Sequence, residues 1–392
     1  MNTLSPFSRP VYVMAKPAGS ACNLRCRYCY YLEKAAGQMS DATLEKFIQQ
    51  YIEAQTADCV LFTWHGGEPT LRGLEFYRRV VKLQKRYARG RAIDNSLQTN
   101  GMYIDEEWAR FLRDENWLMG ISIDGPEDMH NAYRVDAAGH PTWKQVMSAI
   151  NLLDRYDVEW NAMATVNHVT AARPQAFYHF FRDIGCHYLQ FTPVVERRRD
   201  TSALAAVDEA GVVTPESVRP DEWGNFLCTV FDEWVRRDVG NVFVQLFDAT
   251  LAGWMGVEPG VCSMAPTCGH AAVIDATGDV YSCDHFVFPQ YRLGNILGAE
   301  SLTSMLYSER QQAFGRAKRD ALPKQCRSCQ WLPVCNGECP RLRFAVSNDG
   351  EPGLNYLCKG YRRYFEHVAP AMDFMRNELL HERPPANIML HK

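Results

Sequence analysis

Cysteine placement constrains this chain more than any other feature. Of its fourteen cysteines, three stand at Cys22, Cys26 and Cys29, and eight fall between Cys262 and Cys358. Cys59, Cys186 and Cys228 stand apart and read as small buried hydrophobes. The stretch Met1–Lys16 has no basic region followed by an apolar run and a small-residue cleavage site, so it does not read as a secretory signal. The chain is therefore expected in the cytoplasm. Structural disulfides are disfavoured in that reducing compartment, where clustered cysteines bind metal or do chemistry.

With 392 residues, 46% of them hydrophobic, the chain has room for one large domain and a smaller one. A formal net charge of -4 leaves no basic footprint for nucleic acid. No run approaches the roughly eighteen apolar residues that a membrane-spanning helix needs.

The first half alternates apolar runs with amphipathic segments. Candidate strands are Val11–Lys16, Val60–Trp64, Ile93–Gln98, Leu118–Ile123, Val158–Val166 and Tyr188–Thr192. Between them, Ser40 caps a helical pattern with Leu44, Phe47, Ile48, Tyr51 and Ile52 on one face. Similar patterns cover Leu74–Tyr87, Glu106–Arg113, Trp143–Leu153 and Gln175–Arg182. Strand–helix alternation argues for parallel βαβ units, and six of them suggest an α/β fold, a partial (β/α)6 TIM-like barrel. Polar, glycine-rich clusters follow the strand ends, where the loops of such barrels form the active face. Arg197–Pro220 reads as a surface insertion, Glu222–Arg237 as a helix, and Tyr361–Leu380 as another. From Gly260 the texture turns to cysteines, glycines and short segments. The expected division is a barrel over residues 1–240, a cysteine-rich domain over 241–370 and a tail over 371–392.

Cys22-x3-Cys26-x2-Cys29 supplies three thiolates on one short loop. A 4Fe–4S cluster commonly takes four thiolates, so three ligands leave one iron open to a small molecule. Tyr28, between the last two, would lie beside the cluster. A zinc site, or a ferredoxin-type cluster completed elsewhere, uses the same residue types. The triad follows the first strand and Gly66-Gly67-Glu68-Pro69 follows the second, and in that order they resemble the radical S-adenosylmethionine superfamily. The resemblance implies that Gly66, Gly67 and Glu68 belong to the loop that binds the methionine amino group. It also implies that Ser122 contacts the ribose, Arg134 pairs with the carboxylate and Val195 meets the adenine.

The second field, Cys326-x2-Cys329-x5-Cys335-x3-Cys339 and then Cys358, is preceded by Cys268-x9-Gly278-x4-Cys283, with a hairpin turn at Ala276–Asp279. Together these match the seven-cysteine pattern of the SPASM domain, and Cys262 is an eighth. A pair of zinc ribbons is the alternative. Eight cysteines fully ligate two 4Fe–4S clusters, which suits electron transfer. By resemblance, Cys262, Cys268, Cys283 and Cys339 hold the nearer cluster, and Cys326, Cys329, Cys335 and Cys358 the farther. Three 4Fe–4S clusters and S-adenosylmethionine are thus the expected cofactors.

Over nearly its whole length the chain is similar to the anaerobic sulfatase-maturating enzymes. The likeness rests on the triad with Tyr30-Tyr31, Trp64–Thr70, Asn95–Gly101, Ser122–Pro126, the eight cysteines and Ser282-Cys283-Asp284. It implies oxidation of a cysteine or serine, in a Cys/Ser-x-Pro-x-Arg segment of an unfolded sulfatase, to Cα-formylglycine. A 5′-deoxyadenosyl radical takes a hydrogen atom from the target Cβ. A carboxylate accepts a proton and an auxiliary cluster accepts an electron. Asp284 resembles the family's base. A flavodoxin or ferredoxin is the expected electron donor. His65 departs from relatives that carry glutamine before the glycine pair. The rival readings are another SPASM peptide maturase, forming thioether or carbon–carbon crosslinks, and a zinc-dependent interaction module.

Overall fold

The computed structural model describes residues 11–31, 37–197 and 212–390. Most of the expected surface insertion, residues 198–211, therefore lies outside the described residues. The chain folds as two compact units. One comprises Met1–Ser122, Arg134–Trp160 and Gly269–Arg316; the other comprises Ile123–Tyr133, Asn161–Cys268 and Ala317–Lys392.

In the first unit, β1 (Tyr12–Ala15), β2 (Cys59–Trp64), β3 (Ala92–Thr99) and β4 (Trp117–Ser122) pair in parallel in that order. Helices Asp41–Ala54, Leu74–Tyr87 and Glu106–Asp114 return the chain between strands. The first forms where expected: Ser40 Oγ accepts from the Thr43 N–H at 3.1 Å, and Leu44, Phe47, Ile48, Tyr51 and Ile52 are all buried. These side chains meet the outer faces of the strands, where Val60, Phe62 and Trp64 are buried. Trp64 stands edge-on to Phe47 and Tyr77, with ring centroids 6.2 and 6.0 Å away. Each such burial is worth about 1.5–3 kcal/mol. The alternate positions Thr63, Ser96, Gln98 and Ser122 carry polar side chains, and Thr63 and Ser96 share a 2.9 Å hydrogen bond.

In the second unit, β5 (Trp160–Val166), β6 (Tyr188–Pro193) and β7 (Phe243–Val244) are also parallel. Helices Pro174–Asp183, Pro220–Arg237, Gln245–Trp254 and Cys358–Leu380 surround an aromatic core that includes Trp223, Phe226, Phe231, Trp234, Phe247 and Tyr364. Two of these helices touch backbone to backbone: a Cβ on Gly360 would lie 2.3 Å from the Pro220 carbonyl oxygen.

Six strands thus alternate with helices along the chain as the sequence predicts. One arrangement was not foreseen. After β7, strand β8 (Ala271–Ile274) pairs in parallel with β1, from Tyr12↔Ala271 to Ala15↔Ile274. Strands β9 (Asp279–Tyr281) and β10 (Arg292–Asn295) then follow antiparallel. The predicted turn at Ala276–Asp279 joins β8 to β9, with Gly278 at φ 88°. The hairpin that carries Cys283 therefore continues the sheet begun by β1. Cys186 and Cys228 are buried as expected, but Cys59 is exposed. Cys59 opens β2, where its Sγ donates to Asp94 Oδ2 at 3.0 Å instead of facing the core. Among the described residues, no helix is long and apolar enough to cross a membrane.

Candidate active site

The loop after β1 holds Cys22, Cys26 and Cys29, all half-buried. The Leu24 N–H donates to Cys22 Sγ at 3.3 Å, and the Cys29 N–H donates to the Cys26 carbonyl at 3.0 Å. Burial pushes the Cys22 thiol up to about 11, and the nearby Glu68 and Cys29 add to the rise. Three thiols on one short loop form a donor set that suits a cluster, whose binding displaces their protons.

The Gly66–Glu68 loop docks on the start of the triad loop. The Gly67 N–H donates to the Gly19 carbonyl at 2.9 Å, and the Glu68 N–H to the Ala21 carbonyl at 2.8 Å. A Cβ on Gly67 would sit 2.1 Å from the Ala21 oxygen, so only glycine fits. Gly66 has φ +138°. The Glu68 side chain is buried and accepts from Thr70 N–H (2.9 Å) and Oγ1 (2.5 Å), Thr99 Oγ1 (2.7 Å) and Asn100 N–H (2.8 Å). Burial raises its carboxyl despite these donors. Its carboxylate thus ties the loop after β2 to the loop after β3. Asn100 Nδ2 in turn donates to Asn23 Oδ1, at 2.8 Å, inside the triad.

Arg134 is buried, with its guanidinium 5.6 Å from the ring centroid of Tyr28. Ser122, at the end of β4, accepts from Gln98 Nε2 at 3.0 Å. Val195 is buried in the second unit, just past β6.

Asp284 opens a short 3-10 turn directly after Cys283. Its Oδ1 lies 2.5 Å from Lys16 Nζ, an ion pair off the hydrogen-bond direction, and Tyr30 Oη donates to its Oδ2 at 2.5 Å. Lys16 is fully buried, with Nζ 3.8 Å from the centroid of the Tyr31 ring. Tyr30 stacks on His285 at 5.2 Å and 5°. Burial alone would raise the Asp284 carboxyl, but Lys16 holds it well below the carboxylate range. Burial, and then Lys16, lower His65 to about 4. Its Nδ1 accepts from the Gly66 N–H at 2.7 Å, so the neutral ring carries its proton on Nε2. Tyr31, Val273 and Val287 form a buried cluster against which Met14, Cys29, Tyr30 and Tyr281 pack. The triad loop and the Cys283–Asp284 turn are therefore neighbours. Lys16 lies outside the motifs that the sequence marks. The signal was present: Tyr12, Met14 and Lys16 alternate along β1 and its end, and Lys16 sits where barrel loops gather.

Seven of the eight cysteines between Cys262 and Cys358 lie in the second unit and separate into two electrostatic neighbourhoods. The Cys339 thiol feels Cys262 and Cys268; Cys358 feels Cys326 and Cys329; Cys335 feels Cys358 and Cys326. Burial pushes Cys339 and Cys358 each up to about 12, and Cys335 higher still. Cys326, Cys329, Cys335 and Cys358 together line a cavity of about 440 Å³ floored by Trp331, Tyr361 and Phe365. Among the described residues, no three His, Cys, Asp or Glu side chains close on a single point suited to one metal ion. Four cysteines on the lining of one cavity form a donor set that fits a 4Fe–4S cluster.

This strand order, with a cysteine loop after β1 braced by a Gly-Gly-Glu loop and a second cysteine field, defines a radical S-adenosylmethionine enzyme with an auxiliary iron–sulfur domain. Residues 17–181 match the Radical SAM superfamily, and residues 262–330 match the SPASM iron–sulfur cluster-binding domain. A serine-type anaerobic sulfatase-maturating enzyme of Bacteroides thetaiotaomicron is 56% identical over 99% of this chain and 96% of its own. A cysteine-type enzyme of Clostridium perfringens is 33% identical over 94% of this chain and 99% of its own. A solved structure, native anSMEcpe with bound AdoMet and Cp18Cys peptide, superposes with TM-score 0.84 at 33% identity, over 94% of this chain and 100% of that one. The chain belongs to the anaerobic sulfatase-maturating enzymes. It is an enzyme that uses S-adenosylmethionine and iron–sulfur clusters.

Proposed function

We propose that this enzyme oxidises the side chain of a serine, and also of a cysteine, in an unfolded sulfatase to Cα-formylglycine. The target lies in a Cys/Ser-x-Pro-x-Arg segment. The 56% identity to a serine-type relative supports serine as the principal target. The observation that carries the reading is Asp284, held ionised by Lys16 and Tyr30 on the turn that packs beside the triad loop.

In this reading Cys22, Cys26 and Cys29 hold one 4Fe–4S cluster. Cys262, Cys268, Cys283 and Cys339 hold a second, and Cys326, Cys329, Cys335 and Cys358 a third. Gly66, Gly67, Ser122, Arg134, Tyr28 and Val195 form the S-adenosylmethionine cradle. Glu68 has its carboxylate committed to four protein donors and shapes the loop from behind. When bound, these groups supply the radical that removes a hydrogen atom from the substrate Cβ and the acceptor for the electron that follows. Asp284 takes the hydroxyl or thiol proton, because it is ionised at neutral pH. Lys16 and Tyr30 keep that carboxylate aimed and charged. The division into residues 1–240, 241–370 and 371–392 separates the radical-forming part, the auxiliary-cluster part and the tail. A cytoplasmic setting with a flavodoxin or ferredoxin as donor completes the proposal.

The test is anaerobic incubation of reduced enzyme with S-adenosylmethionine and a Ser-x-Pro-x-Arg peptide. The serine peptide should lose two hydrogens and gain a hydrazine-reactive aldehyde. A cysteine peptide should also exchange its sulfur for oxygen, releasing sulfide. Loss of two hydrogens without an aldehyde would indicate a crosslink and overturn the reading.

A further inference from the structure

Three consecutive residues between Cys335 and Cys339 are left-handed: Asn336 at φ 48°, Gly337 at 67° and Glu338 at 56°. For the two that are not glycine this costs roughly 1–2 kcal/mol each, so something must hold the segment. Arg343 does. Its Nε donates to the Gly337 carbonyl at 2.8 Å, and Nη2 donates to the carbonyls of Asn336 at 2.8 Å and Glu338 at 3.0 Å. Nη1 donates to the Lys318 carbonyl at 2.5 Å. One planar fork thus grips all three left-handed residues and an outside helix. A Cβ on Gly337 would lie 2.3 Å from Leu322 Cδ2 and 2.7 Å from Arg343 Nη2, and its φ of 67° also favours glycine.

Lys318 is 1% exposed, and its Nζ donates to the carbonyls of Cys262 (2.8 Å), Ser263 (2.5 Å) and Ala265 (2.5 Å). The two cations therefore fix the segments that carry Cys262, Cys335 and Cys339. Arg343 also acts electrostatically on both cysteine sets, on Cys326 and Cys335 and on Cys268 and Cys339. The buried acid between them, Glu338, turns its carboxylate onto the Cys339 N–H. Two cations against one acid leave a net positive charge.

We propose that Arg343 is a positioning residue for both auxiliary clusters. It fixes the left-handed link between a ligand of one cluster and a ligand of the other, and holds a permanent positive charge between them. A cluster bound by four thiolates gains negative charge on reduction, so a fixed cation beside it raises its reduction potential. Each cluster therefore accepts an electron more readily. This inference rests on the reading of the eight cysteines as two cluster-binding sets.

The test uses full-length protein with Cys22, Cys26 and Cys29 replaced by alanine, prepared without oxygen. About eight irons per chain should remain, at four per cluster; a parent without iron would overturn the cluster reading and this proposal with it, whereas an iron-replete parent tests Arg343 alone. Redox titration followed by electron paramagnetic resonance gives both midpoint potentials. Arg343→Gln should shift both to lower values with iron retained, and Arg343→Lys should shift them less. Unchanged potentials in iron-replete Arg343→Gln, or an equal shift in Arg343→Lys, would overturn the proposal. Should Arg343→Gln lose its iron, Lys318→Met is read in its place. That variant removes the neighbouring charge and leaves the fork on its four carbonyls. The cluster of Cys262, Cys268 and Cys339 should then shift downward, and a constant potential overturns the proposal.

Discussion

Lys16 Nζ lies 2.5 Å from Asp284 Oδ1, and the lysine side chain has no exposed surface. The parallel pairing of β1 with β8 creates this contact: Ala15 stands opposite Ile274, and the Lys16 N–H donates to the Ile274 carbonyl at 2.9 Å. Lys16 leaves the end of one strand as Asp284 arrives just after the hairpin that begins with the other. Replacing Lys16 with methionine leaves the half-buried Asp284 carboxylate without its cation. Burial then acts on the Asp284 carboxyl unopposed by Lys16, and the carboxylate loses the cation that aims it. Lys16→Met should form aldehyde about 10²–10³-fold more slowly while still releasing 5′-deoxyadenosine. Asp284→Asn should do the same. Unaltered aldehyde formation by either variant would count against the proposed base.

Tyr30 offers a graded version of the same test. Its hydroxyl donates to Asp284 Oδ2 at 2.5 Å, while its ring stacks on His285. Tyr30→Phe keeps the stack and deletes one hydrogen bond to a charged group, worth about 1.5–3 kcal/mol. Aldehyde formation should fall about tenfold, less than in Asp284→Asn. A rate equal to that of Asp284→Asn would mean that Tyr30 does more than hold the carboxylate.

The barrel order was legible because period-two strands and three-to-four-residue helical spacings repeat locally, and each can be read without knowing its partners. The cysteine spacings of the triad and of the second field are likewise local patterns. Lys16 was not legible, because its role depends on β8 adding to the sheet beside β1, more than two hundred residues later. No local pattern announces that pairing. Glu68 illustrates a second limit. Its place in the Gly-Gly-Glu-Pro loop is plain in the sequence, but the direction of its side chain is set by Thr70, Thr99 and Asn100. Cys59 shows a third: a lone cysteine at a strand's first residue has no periodic neighbours to reveal which face it takes.

Gly67 tests how the S-adenosylmethionine loop is seated. Its missing side chain admits the Ala21 carbonyl, which would lie 2.1 Å from an added Cβ. Gly67→Ala must push the loop off the triad segment and lose the backbone bonds to Gly19 and Ala21. A destabilisation of about 2–4 kcal/mol is expected, within the range for a forced backbone shift. The variant should bind S-adenosylmethionine at least tenfold more weakly by equilibrium dialysis, a loss of about 1.4 kcal/mol or more. Binding at wild-type strength would show that this loop does not shape the cradle.

His65 predicts a pH dependence with a definite sign. Its folded value is lowered from 6.5 to about 4, by burial and then by Lys16. Between those values the unfolded chain binds the extra proton and the folded chain does not, so stability rises with pH across this window. The contribution is complete above the unfolded value and is lost progressively as pH falls toward about 4. Acidifying from about pH 7.5 to about pH 5 should cost about 2 kcal/mol through this group, at about 1.4 kcal/mol per pKa unit. His65→Gln cannot titrate and should lack that component. Anaerobic urea denaturation of both proteins at the two pH values isolates it, because other titrating groups are common to both. The stability gap between wild type and variant should shift in favour of wild type as pH rises. A gap that stays constant would mean that His65 titrates alike in the folded and unfolded chains, and that the neutral ring facing Gly66 is not enforced by its surroundings.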